Sequence, residues 1–232
     1  MAVAGTLAGQ PTGDAHRLSQ TGDTTGARPQ STEATPATDE TAAEAEPSQA
    51  PAPEPAPRSY RGVSAKVLKL RKSDWTNVWL VSFTHRGTSN FIVEPLDPRG
   101  AAQSAIVNEI GTYKGTVLLN EEDGSETAAL KIQADGSWTV TLEPLSMTRV
   151  WSGAAVDGRS DDVVRLDPRS SGLTTVNARH SGSSNFIVDA YTENGEENLV
   201  NEIGSWHGEV PLPDGTILVT IKADGVWSLK KS

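Results

Sequence analysis

His85-Arg86-Gly87-Thr88-Ser89-Asn90-Phe91-Ile92-Val93 returns later in the chain as His180-Ser181-Gly182-Ser183-Ser184-Asn185-Phe186-Ile187-Val188. Val107-Asn108-Glu109-Ile110-Gly111 then returns as Val200-Asn201-Glu202-Ile203-Gly204. An aromatic and a glycine follow in each copy, Tyr113 with Gly115 and Trp206 with Gly208. Ile132, Ala134-Asp135-Gly136 and Trp138 close the first copy as Ile221, Ala223-Asp224-Gly225 and Trp227 close the second. The order is kept and the gaps fall in loops, so one module occurs twice.

Each copy reads as short strands. In the first these are Ala65–Leu70, Val78–His85, Asn90–Leu96, Ala105–Ile110, Gly115–Leu119, Thr127–Ala134 and Trp138–Leu142; Val163–Leu166 opens the second. They are rich in β-branched residues and separated by Gly, Asp, Asn and Pro, and no segment carries a helical period. Ala-Asp-Gly-x-Trp is a tight hairpin signal, with Gly136 and Gly225 at the turn. The expectation is all-β: two tandem, small antiparallel β-sandwiches, jelly-roll-like, at 59–146 and 150–232.

The pattern H-x-G-x-S-N-F-x-V, then V-N-E-I-G, then A-D-G-x-W resembles a β-sandwich repeat of secreted or surface-anchored actinobacterial and archaeal proteins. The resemblance covers nearly all of 63–143 and 161–230 and implies an exported or surface-held protein. It carries no catalytic activity with it.

Residues 1–58 differ in kind. Leu7 and Leu18 are the only leucines there, and no aromatic precedes Tyr60. Such a stretch buries too little apolar area to offset the entropy of ordering it, so a disordered tail is expected. Its eight acids against three arginines make half of the chain's net charge of −10. The Pro-Ala alternation from Ala50 to Pro57 favours an extended spacer, which reads equally as a stalk and as an idle tail. Met1–Gly9 lacks a basic n-region and is short for a signal peptide; a truncated signal and a plain unstructured start both fit it.

The acidic balance argues against nucleic acid, because phosphate binding needs clustered Lys and Arg. Lys66, Lys69, Arg71 and Lys72 are read as a solvated strand face. The absence of cysteine removes disulfides and thiolate chemistry. No run approaches the ~20 apolar residues that span a bilayer.

The repeated polar residues are the candidates for chemistry, and most read as structural. Asn108 shares a strand face with Ile106 and Ile110, and Asn201 with Leu199 and Ile203, so both asparagines are expected buried, bonding backbone groups at a bend. Asn90 and Asn185 follow a Gly-x-Ser corner and are expected to close local Asx-type bonds. His85 and His180 end strands, one per copy, which is too few for a metal site; Lys114 stands where the second copy has His207. Asp135 and Asp224 sit in turns. They and the pair Glu109 and Glu202 raise glycoside hydrolysis and calcium as less favoured alternatives, since no calcium-loop run is present.

Trp138 and Trp227 alternate with Val140 and Leu229 and should fill the cores. Tyr113 and Trp206, each beside a glycine, are the candidates for an exposed ligand platform, with Glu109 and Glu202 as candidate ligand contacts; the favoured alternative folds each ring over the end of its sandwich. Trp75, Trp79 and Trp151 are expected to pack the two modules together.

The function expected is a non-catalytic surface or secreted binding module, its tandem copies giving avidity for a polysaccharide, a cell-wall polymer or a surface protein. The alternative is a structural β spacer or a protein–protein assembly module; a glycan-active enzyme ranks last. No cofactor is expected. A cytoplasmic location stays open.

Overall fold

The computed structural model describes residues 54–232. The expected tail, up to residue 53, lies outside the described residues.

Eight strands build the first module: β1 Arg58–Val63, β2 Lys66–Lys69, β3 Trp79–Arg86, β4 Asn90–Leu96, β5 Val107–Ile110, β6 Tyr113–Leu119, β7 Ala129–Gln133 and β8 Ser137–Glu143. They form two antiparallel four-stranded sheets, ordered β1-β8-β3-β6 and β2-β7-β4-β5. Consecutive strands alternate between the sheets except β4 and β5, which pair within one sheet, and this is the jelly-roll winding. Alternation puts Trp79, Val81, Phe83, Phe91, Val93, Trp138, Val140 and Leu142 between the sheets.

The second module repeats this plan with β10 Ala155–Arg159, β11 Asp162–Leu166, β12 Thr174–Ser181, β13 Asn185–Thr192, β14 Gly195–Ile203, β15 Trp206–Leu212, β16 Leu218–Ala223 and β17 Val226–Lys231. Its sheets run β10-β17-β12-β15 and β14-β13-β16-β11. A short extra strand, β9 Arg149–Trp151, adds to the latter, parallel to β11.

Each copy therefore has a strand ahead of the one expected to open it. β1 and β10 escape notice because Arg58-Ser59-Tyr60-Arg61-Gly62-Val63 and Ala155-Val156-Asp157-Gly158-Arg159 carry few large apolar residues. Both are edge strands paired only with the last strand of their module. Arg58 ties β1 down through a buried ion pair with Asp74 and lies over the Trp79 ring.

The tryptophans outside the repeat do not pack the modules together. Trp75 is partly buried against the core of module 1, Trp79 is within that core, its indole N–H donating to the Asp74 carbonyl at 3.0 Å, and Trp151 is in the core of module 2. Smaller residues make the junction: Leu80, Leu118 and Val163 form their own buried cluster.

Candidate functional site

The most repeated residues converge on one corner of each sandwich. His85, on β3, is fully buried and stacks on Phe91 with ring centres 4.5 Å apart. Its Nδ1 lies 2.6 Å from the Gly111 carbonyl, so that nitrogen carries the proton and donates. Its Nε2 lies 3.3 Å from Asp135 Oδ1. The other oxygen of Asp135 accepts the N–H groups of Thr88 and Ser89 and the Thr88 hydroxyl, at 2.8–3.0 Å. Module 2 has the same arrangement: His180 on Phe186, Nδ1 on the Gly204 carbonyl, Nε2 facing Asp224, and Asp224 accepting from Ser183 and Ser184.

The glycines follow from this crowding. A Cβ on Gly87 would stand 2.0 Å from Asp135 Oδ1, and one on Gly136 would stand 1.9 Å from the Arg86 carbonyl oxygen. Gly111 and Gly204 turn the chain at a φ of +84°. The residue pattern H-x-G-x-S, V-N-E-I-G and A-D-G thus describes one knot that joins three loops.

A second repeated fixture pins the first strand. Trp138 lies over Gly62, where a Cβ would be 2.1 Å from the ring, and its indole N–H donates to the Ser64 carbonyl at 2.9 Å. Trp227 does the same over Gly158 and to Ser160.

Several expected positions are corrected. Asn108 and Asn201 are exposed, because the face they share with Ile110 and Ile203 is the solvent face: both isoleucines are 77% exposed. The grouping by strand period holds, but Val107 and Val200 fill the core. The amides at the corner are held by the aspartates of the β7–β8 and β16–β17 links, which join opposite sheets instead of closing the expected hairpins; Asn90 and Asn185, exposed, start β4 and β13 opposite Ile110 and Ile203.

Tyr113 is not an exposed ring. It is 5% exposed, lies over Gly115, and donates its hydroxyl to Asp161 Oδ2 of module 2 at 2.7 Å. Asp161 Oδ1 meanwhile accepts the Ala223 N–H at 2.9 Å. Trp206, the counterpart of Tyr113, is half-buried over Gly208 and keeps one side in a shallow hollow with Arg179, Ser205, His207 and Val226. The copies therefore do not present two equal platforms, and avidity from paired rings loses its premise.

A cleft of about 1080 Å³ opens where the modules meet. Asn108, Glu109, Thr112 and Lys114 reach it from module 1, and Arg159 and Asp162 from module 2. Asn108, Thr112, Lys114 and Arg159 are exposed, and Glu109 is half-buried. Burial, then the negative charges of Asp161 and Asp224, push the Glu109 carboxyl up, with Lys222 opposing. Burial also raises Asp161 against the opposing bonds from Tyr113 and Ala223. Glu202 is exposed and lies outside this cleft. Among the described residues no group of three or more His, Asp or Glu side chains could hold a metal ion.

The carboxyls carry a pH prediction. Glu109, Asp161, Glu121, Asp189 and Glu196 are all raised, burial being the largest cause for each. The folded chain then takes up protons before the unfolded chain does, so stability should rise as pH falls from neutrality through the raised values, levelling near the ordinary carboxylate range of about 4. Below that, Asp135, held low by the Thr88 amide, and Asp224, held low by the Ser183 and Ser184 amides against its burial, lose bonds on protonation and stability should fall. Urea midpoints measured from pH 7 to 3 check this; a steady decline from pH 7 would contradict it.

Sequence reasoning missed Asp161 and Arg159 because neither is repeated: module 1 has Ala65 and Val63 at those places. The mismatch of Tyr113 against Trp206, set beside that of Ala65 against Asp161, is the signal that marks the junction. Comparison with protein-family models and with curated proteins returns no match.

Proposed function

We propose that this chain is a non-catalytic binding module of a secreted or cell-surface protein, and that its ligand, a polysaccharide or cell-wall polymer, seats in the cleft between the two modules. The observation that carries the reading is what the fold leaves over. The repeated His, Asp, Gly and Trp residues are committed to corners and cores, whereas Asn108, Glu109, Thr112, Lys114 and Arg159 converge on a concave surface. A polyol needs such mixed donors and acceptors, and a polymer carrying charge finds both signs there.

A non-catalytic reading is supported by the carboxyls. Hydrolysis of a glycosidic bond uses two carboxyls that reach the substrate. Of the carboxyls at the cleft, Asp161 is 6% exposed with both oxygens engaged, Asp162 accepts from Arg149 and the Val163 N–H, and Asp224 accepts from the Ser183 and Ser184 N–H groups, which leaves Glu109 alone. The second reading, a β spacer or assembly module, is favoured by the burial of Tyr113, which locks the modules together as a spacer requires.

Calorimetric titration of the full chain with soluble polysaccharides separates the two. The binding reading expects heat with at least one polymer and a loss of about tenfold or more in affinity in Glu109→Gln with Arg159→Ala, without loss of thermal stability. No heat with any polymer would leave the spacer reading standing.

A further inference from the structure

The outer face of the sheet β1-β8-β3-β6 is covered over one part of β3 and β6. Leu80 and Leu118 pair in register on that face and are buried with Val163 of module 2, with Leu145, Tyr191 and Leu218 packed around them. Thr116, on the same face, donates its backbone N–H to the Asp161 carbonyl at 3.0 Å. Two tyrosine–carboxylate bonds cross the junction in opposite directions: Tyr113 to Asp161, and Tyr191 to Glu121 at 2.9 Å. Module 1 supplies a seat, and the β10–β11 corner of module 2 is the wedge that fills it.

Strand register lets the same positions be found in the other copy. His85 pairs with Tyr113 as His180 pairs with Trp206, so Leu80, Thr116 and Leu118 correspond to Thr175, Glu209 and Pro211. The Thr175 hydroxyl bonds the Glu209 carboxylate, and Glu209 and Pro211 are exposed. On the wedge, Lys66 pairs with Ile132 as Asp162 pairs with Ile221, so Asp161 and Val163 correspond to Ala65 and Val67. Val67 is 49% exposed.

We infer that the outer face of module 1 is a dedicated seat for the corner of a following repeat, and that module 2 has no such seat, so that the stack is closed to a further repeat. This holds whether that repeat would come from a second copy or from a continuation of the chain. A wedge valine gains by burying against two leucines. Against Thr175 and Pro211 it would instead desolvate the Glu209 carboxylate with only the Thr175 hydroxyl to bond it, which is unfavourable. A polar outer face is how stacked repeats stop. The inference stands on the junction alone and not on any ligand.

The test writes the seat onto module 2 of the full chain: Thr175→Leu, Trp206→Tyr, Glu209→Thr and Pro211→Leu, with Ala65→Asp completing the wedge of module 1. Light scattering after size exclusion should give the parent a single-chain mass at every concentration, and the grafted chain a mass that climbs with concentration toward multiples of it. A folded graft that stays at single-chain mass would overturn the inference. If circular dichroism shows the graft unfolded, the reverse variant decides. Leu80→Thr with Thr116→Glu writes the face of module 2 onto module 1. It should speed amide exchange in Tyr113–Leu119 while the rest of module 1 is unchanged; unaltered exchange there overturns the inference.

Discussion

Replacing Trp138 by alanine should lower the unfolding free energy by about 3–5 kcal/mol. The indole is 2% exposed and lies flat on Gly62, so its removal opens a cavity that neighbours on a paired sheet cannot collapse into. It also leaves the Ser64 carbonyl without its donor. Ser64 has a φ of +60° and sits at the bend that carries the chain from one sheet to the other. The loss thus acts on both sheets at once. Trp227→Ala should match it in module 2, because Gly158 and Ser160 repeat the arrangement. Gly62→Ala makes the complementary case: the new Cβ must push the ring aside, at about 1–3 kcal/mol. Chemical denaturation of the full chain, read by tryptophan fluorescence and circular dichroism together, measures all three. A loss below about 1 kcal/mol for Trp138→Ala would show that the fixture does not hold the strand.

Asp161→Ala should cost about 2 kcal/mol and act on the junction instead of on either core. It leaves the Tyr113 hydroxyl and the Ala223 N–H without acceptors, each a buried donor worth about 1–3 kcal/mol when orphaned. Against this stands relief of the burial that raises the Asp161 carboxyl, which is why the net is less than the sum. Asp161→Asn keeps an acceptor and removes the charge, so it should cost less and flatten the acid-side gain in stability. A double-mutant cycle with Tyr113→Phe should return a coupling of about 1–2 kcal/mol. Additive losses would mean that the contact across the junction carries no energy.

The architecture was legible because the sequence states it twice. His85 to Val93 and its return fix two copies, and period-two alternation fixes most strands. The opening strands were not legible: β1 and β10 lie on sheet edges, and Gly62 and Gly158 are there to admit a tryptophan distant in sequence. The face of Asn108 is not legible from its neighbours, because Ile110 beside it points outward. On an edge strand that ends in a glycine turn, Val107 alone suffices for the core and Ile110 projects into solvent.

The site was legible only in part, for a related reason. Repetition finds what both copies need, which is the corner of His85, Gly87 and Asp135 and the Trp138 fixture. It passes over what one copy does for the other. Tyr113 and Glu109 drew notice as a repeated aromatic and a repeated acid, yet Tyr113 is covered by the neighbouring module and Glu109 faces a cleft that Arg159 completes. No local pattern reveals a partner that lies across a module boundary. The unequal pairs Tyr113/Trp206 and Ala65/Asp161 hold that information, and it becomes readable once the register is known.

The central claim is that the junction cleft, and not the rings of the repeat, receives the ligand. An NMR titration of the isotope-labelled full chain with a soluble polysaccharide that gives binding heat tests it most directly. The account predicts that amide shifts concentrate at Asn108–Lys114 and Arg159–Asp162 and leave Ser205–Gly208 in place. Shifts centred on Trp206 and His207, with the cleft silent, would contradict it.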